Sequence, residues 1–190
     1  MAERIFSEQL YRIREVHIEV ETLLQSLAAL QGKNPCASCA NVCCKEPLCR
    51  ESIDSDFLRF VLGTRIRDYS ATDGWYVPGS GCRLEYGRPL VCYEYFCARF
   101  DEQEVDTLKQ LSRALKTTYR NVYAGRHMLV VDDITRISAT RLRILLDRLE
   151  NLRTLAQTAL RHAHKQQSGT HADGHPVRMH GTSVLGWKRP

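Results

Sequence analysis

No uninterrupted apolar run in the 190 residues exceeds a handful of positions, well short of the ~20 that a membrane-spanning helix requires. The opening Met1-Ala2-Glu3-Arg4-Ile5 enters a charged helical pattern directly, without the apolar h-region of a signal peptide. The expectation is a cytoplasmic protein with no membrane partner. Excess charge is also scarce. The formal net charge is +5, and part of it lies in 166–190, where Arg178, Lys188 and Arg189 face only Asp173. What remains on the body is too little for a nucleic-acid groove, which needs clustered Lys and Arg. There is no Gly-rich phosphate loop, no G-x-S-x-G elbow and no H-E-x-x-H, so those reaction templates are excluded. The acidic pair Asp132-Asp133 has no evident partner and reads as a helix-entry turn. Internal repeats are absent. At 43% hydrophobic and 26% charged residues the composition is that of an ordinary globular domain with appendages.

Cysteine is missing before Cys36 and after Cys97, and all eight cysteines fall between them. Five form the run Cys36-x2-Cys39-x3-Cys43-Cys44-x4-Cys49, and three form Cys82-x9-Cys92-x4-Cys97. In a small secreted protein such a count would be read as four disulfides; in a reducing compartment it points to metal or redox chemistry. Adjacent Cys43 and Cys44 also fit poorly into a disulfide framework, since a bridge between neighbours is strained. Disulfides remain the minority reading.

Helical periodicity flanks this block. Residues 3–31 place Ile13, Val16, Val20, Leu23, Leu27 and Leu30 at 3-4 spacing, with Phe6 and Leu10 extending the face. Gly32 and Asn34-Pro35 are the stop signal. A short helix is expected over 54–62, capped by Ser52 or Asp54, facing inward with Phe57, Leu58 and Val61, and ended by Gly63. Turn chemistry fills 68–81, through Asp73-Gly74, Pro78-Gly79 and Gly81. An irregular or hairpin-like wrap is expected from Cys82 to Cys97. Helical period returns at Asp101, with Asp101 and Glu104 as capping residues and Val105, Leu108, Leu111, Leu115, Tyr119 and Val122 on one face before Gly125. Met128–Val131 is a short strand or buried connector. A last helix over 138–164 carries Leu142, Leu145, Leu149, Leu152, Ala156 and Ala159.

The predicted fold is therefore mainly α: a bundle of three long helices with an irregular cysteine-rich, metal-binding insertion. One domain is expected over 1–165, with the cysteine cluster at 36–97 and a disordered basic, His-containing tail over 166–190. The apolar seams are expected to pack on one another; a homodimer or a protein partner bound through them is the alternative.

Two blocks resemble the YkgJ-type family of bacterial cysteine-cluster proteins, zinc- or iron-chelating domains. The first is Cys36-x2-Cys39-x3-Cys43-Cys44. The second is Gly81-Cys82-Arg83-Leu84-Glu85-Tyr86-Gly87-Arg88-Pro89-Leu90-Val91-Cys92, followed by Tyr93 and Phe96-Cys97. Family members commonly carry a further cysteine where Tyr76-Val77-Pro78 stands here, and Cys49 restores the total from another position. The Tyr-Glu order of the family appears as Glu85-Tyr86, and Tyr93 stands where an arginine is often found. The resemblance implies metal chelation, and some relatives methylate lysine in flagellin.

Thiolates are the preferred ligands of zinc, copper(I) and iron–sulfur centres. A mononuclear zinc or iron takes four, so eight could make two sites or one four-iron cluster with spares. The expected metal ligands are Cys36, Cys39, Cys43, Cys44, Cys82, Cys92 and Cys97, with Cys49 next; one or two of the eight are expected simply to be buried as hydrophobes. Cys43 and Cys44 diverge from neighbouring backbone positions, so they suit two metals better than one, or one of them only packs. The expected cofactor is an iron–sulfur cluster or zinc, in a metal-binding protein that supports electron transfer. The alternatives are a cluster-dependent methyl or radical transferase and a zinc-stapled interaction module. Arg88 is read as a salt-bridge partner of Glu85 or Glu94 that fixes the loop, in preference to a donor to the cluster. Tyr86, Tyr93, Tyr95, Phe96 and Phe100 are read as a packed aromatic wall, and His162, His164, His171, His175 and His180 as solvated tail residues.

Overall fold

A computed structural model of the chain describes residues 2–30, 49–89, 92, 105–121 and 137–169. Among the described residues it is mainly helical, with five α-helices and one two-stranded sheet. Helix α1 runs over Ala2–Leu30, α2 over Glu51–Asp54, α3 over Asp56–Leu62, α4 over Val105–Asn121 and α5 over Ala139–Gly169. No helix among these residues is long and apolar enough to cross a membrane.

Helix α1 extends for 29 residues because no Gly or Pro interrupts it. Its buried face holds Leu10, Ile13, Val16, Val20, Leu24 and Leu27. Leu24 takes the place expected for Leu23, which is only half-buried and packs at the edge of the core. The face is broader than a two-helix seam because α1 meets α3 and α4 as well as α5. Leu108, Leu111, Leu115 and Tyr119 of α4 and Leu142, Leu145, Leu149, Leu152 and Ala156 of α5 complete one core, joined by Phe57, Leu58 and Val61 of α3. The apolar seams are thus buried within the chain.

Helices α1 and α5 run parallel. Arg12 pairs with Glu150 at 3.1 Å, Arg153 with Glu19 at 3.0 Å, and the Gln167 amide donates to the Leu30 carbonyl at 2.8 Å. The partners advance together along both helices. Exposed pairs of this kind contribute at most about 1 kcal/mol each, so they report the register more than they hold it. Helix α5 continues through Gly169, past the end expected for the ordered domain.

The expected single short helix is two pieces. Ser55 is extended (φ −77°, ψ 121°) and caps α3, its Oγ accepting from the Leu58 amide at 3.2 Å. Ser52 is buried and occupied elsewhere, so neither it nor Asp54 is the cap. Gly63 does end α3, at φ +57°, and leads into a 3-10 turn over Gly63–Asp68. Strands β1 (Tyr76–Val77) and β2 (Gly81–Cys82) then form an antiparallel hairpin, pairing Tyr76 with Cys82 and Val77 with Gly81. The hairpin lies upstream of the expected segment, with Cys82 as its last residue. The stop at Gly32 and Asn34-Pro35, the Asp101 and Glu104 cap, Val122, Gly125, Met128–Val131, Asp132-Asp133 and the tail from 170 lie outside the described residues.

Candidate functional site

A second, smaller core sits under the hairpin. Cys49, Leu62, Trp75 and Leu84 are buried there, with Ile53, Tyr69 and Cys82 packed against them. One member of each cysteine block therefore lies on the same cluster. Trp75 is its centre: it is 1% exposed, meets the Tyr69 ring edge-on at 5.3 Å, and donates its indole N–H to Ser52 Oγ at 2.6 Å. Ser52 in turn donates to the Cys49 carbonyl at 2.6 Å. This chain of bonds satisfies the polar atoms that the small core encloses and fixes the backbone at Cys49. Cys92 is half-buried, in a turn where its amide donates to the Pro89 carbonyl at 3.0 Å.

Cys36, Cys39, Cys43, Cys44 and Cys97 lie outside the described residues, as do Glu94, Tyr93, Tyr95, Phe96 and Phe100. Among the described residues no group of three or more His, Cys, Asp or Glu side chains is arranged to hold a metal ion, and no disulfide joins any two of the three described cysteines. Cys49 as a residue is 3% exposed, among aliphatic and aromatic neighbours. Packed in this way, Cys49 fits a buried, hydrophobe-like cysteine as well as it fits a soft metal donor. Cys82 and Cys92 are both half-buried and are soft donors suited to the same class of metal ion.

The loop that follows Cys82 is held by a residue that apolar periodicity does not mark. Glu21, on α1 and fully buried, accepts from the backbone amides of Gly87 and Arg88, one on each carboxylate oxygen; the Arg88 contact is 3.1 Å. Gly87 is required for this approach. Its φ is +77°, and a Cβ there would lie 2.7 Å from Leu62 Cδ2. The Arg88 guanidinium folds back onto its own loop and donates through Nε and Nη2 to the Leu84 carbonyl, at 3.0 and 2.6 Å. It does not pair with Glu85, whose partner is Arg65 at 3.0 Å; a carbonyl within the same turn outcompetes an exposed carboxylate that a second arginine already occupies. Tyr86 packs on the main core with the Arg65 guanidinium 4.7 Å above its ring.

Glu21 continues inward to His17 and Tyr119. The Tyr119 hydroxyl lies 2.6 Å from His17 Nδ1. Burial, and secondarily the charge of Glu21, push the Tyr119 phenol well above its ordinary range, so it stays a hydroxyl in this contact. His17 Nε2 lies 3.0 Å from Glu21 Oε2, without the geometry of a hydrogen bond. The His17 ring is fixed edge-on between Phe57 at 5.6 Å and Tyr119 at 5.5 Å. Helix α1 also holds α3: Arg14 donates to the Phe60 and Val61 carbonyls at 2.9 and 3.2 Å, satisfying the orphan acceptors at that helix end.

One sequence signal for this network exists. His17 and Glu21 stand four apart inside the apolar face of α1, between Ile13 and Leu24, where two solvated polar residues would not be expected. Tyr119 was visible only as a seam residue, and nothing local marks Trp75. His162 and His164 are exposed on the last turns of α5; His171, His175 and His180 are outside the described residues. Comparison of the chain with family models, with curated proteins and with solved structures finds no match in any of the three.

Proposed function

We propose that the chain is a metal-binding protein that holds zinc or an iron–sulfur cluster through its cysteine thiolates. The ligands are drawn from Cys36, Cys39, Cys43, Cys44, Cys82, Cys92 and Cys97, with Cys49 alongside them. The observation that carries this reading is the meeting of Cys49 and Cys82, 33 positions apart in the sequence, on one small core. The density of thiols in 36–97 and the Cys36-x2-Cys39-x3-Cys43-Cys44 spacing support it. When bound, zinc would staple the cysteine block, and an iron–sulfur cluster would add one-electron chemistry. Eight thiolates exceed what one structural zinc requires, which favours the cluster and a role in electron transfer.

The zinc-stapled module is the second reading, favoured by the size of the satellite core. Four buried side chains are few to hold a hairpin and a loop in place, and small cores of this kind commonly need a metal or disulfide. Metal analysis and a visible spectrum of full-length protein purified without oxygen decide between them. Iron with acid-labile sulfide and a broad band near ~400 nm is the expected result for thiolate-ligated clusters. Colourless protein with stoichiometric zinc selects the staple. Metal-free protein with its thiols bridged as disulfides overturns both.

A further inference from the structure

We propose that Glu21 is a positioning residue for this metal site, so that metal occupancy of the cysteine block and the clasp of Glu21 on the Gly87 and Arg88 amides stabilise each other. The inference rests on the metal-binding reading above and adds a residue that is not itself a ligand. Both Glu21 oxygens are engaged by the amides of Gly87 and Arg88, which lie between Cys82 and Cys92. The same loop is tied internally by Arg88 to the Leu84 carbonyl and seated against Leu62 at Gly87. Glu21 is itself held in place, buried beside His17, which bonds Tyr119 of α4. Gly87 and Arg88, which stand between Cys82 and Cys92 in the sequence, are thus fixed to the helical core.

A chelate whose donors are already spaced binds more tightly than one that must order its loop on binding. By linkage, whatever the clasp contributes to metal affinity the metal returns to the clasp. Glu21→Gln keeps the shape of the side chain, but its NH2 group cannot accept from the second amide. Residues that orient metal-site groups typically change affinity by about 10–100-fold when altered, and that range is expected here.

The test uses full-length, reduced, metal-free protein and zinc as the probe, with affinity read by competition against a chromophoric chelator. Leu149→Ala serves as the comparison: Leu149 is fully buried on α5, in the main core and not in the cluster that holds the cysteines. Glu21→Gln is expected to bind zinc about 10–100-fold more weakly at unchanged stoichiometry, with unchanged thiolate-to-cobalt bands when Co(II) replaces zinc. Leu149→Ala is expected to melt earlier and keep wild-type affinity. Equal affinity of Glu21→Gln and wild type overturns the proposal, and so does equal weakening by both substitutions. A second measurement needs no variant. Zinc loading of the wild type should slow amide hydrogen exchange at Gly87, Arg88 and the turn of α1 around Glu21, and unchanged exchange there also overturns the proposal. Wild-type protein that binds neither zinc nor iron removes the metal reading itself, an outcome distinct from a clasp that fails.

Discussion

Gly87→Ala tests how tightly the cysteine-bearing loop is seated on the protein. Two costs act at this position. An L-residue at φ +77° loses about 1–2 kcal/mol relative to glycine. The added Cβ would also lie 2.7 Å from Leu62 Cδ2 and 2.8 Å from Leu62 Cγ, against ordinary carbon contacts of about 3.5–4.0 Å. Leu62 is buried beside Cys49, Trp75 and Leu84, so it cannot rotate into solvent, and overpacking of this kind costs about 1–3 kcal/mol. The sum is about 2–5 kcal/mol. Gly79→Ala isolates the second part, because Gly79 has nearly the same φ, +76°, and nothing within 4 Å of its Cβ position. Urea unfolding followed by tryptophan fluorescence should therefore show Gly87→Ala less stable than Gly79→Ala by about 1–3 kcal/mol. Placing Leu62→Ala behind both substitutions should close that gap, since the contact is then removed. Equal losses at the two glycines in the native background would refute the seating.

The buried phenol predicts an alkaline limit to stability. Tyr119 is held well above the ordinary tyrosine value in the folded protein, so its contribution is fully present below about pH 10, the unfolded value, and is lost as pH rises through the folded value. Wild-type unfolding free energy should gain a negative slope above pH 10, of up to about 1.4 kcal/mol per pH unit from this group. Tyr119→Phe should cost about 1–3 kcal/mol near neutrality, by leaving His17 Nδ1 unpaired, and should lack that part of the slope; parallel curves from pH 8 to 11 would contradict the assignment. Trp75, buried on the cluster that carries Cys49 and Cys82, should give a blue-shifted emission that metal loading alters and that Trp75→Phe removes, leaving only Trp187. Emission indifferent to loading would place the metal away from this core.

Periodicity foresaw the helices because a face that packs on a core repeats with the helix. Ile13, Val16 and Val20, the Leu108 to Tyr119 face and the Leu142 to Ala156 face are all buried as their spacing requires. Gly63 closes α3 and the glycines of 74–81 turn the chain, since their freedom at positive φ is a property of the residue alone. What the spacing misjudged was set by contacts at longer range. Leu24 displaced Leu23 because α1 is shared among three neighbouring helices, and Ser55 displaced Ser52 as a cap because Trp75 and the Cys49 carbonyl claimed the Ser52 hydroxyl. Arg88 turned to the Leu84 carbonyl because Arg65 already held Glu85.

The division has a physical reason. Local propensity and apolar spacing determined the mainly helical character, the faces of the helices and the stretch in which the thiols are gathered, since each depends on residues a few positions apart. The burial of Glu21 depends on amides more than sixty positions away, at Gly87 and Arg88. On an isolated helix that carboxylate belongs in water. Only the closed tertiary structure supplies the donors that replace its hydration, and with them the link between the helical core and the loop that follows Cys82.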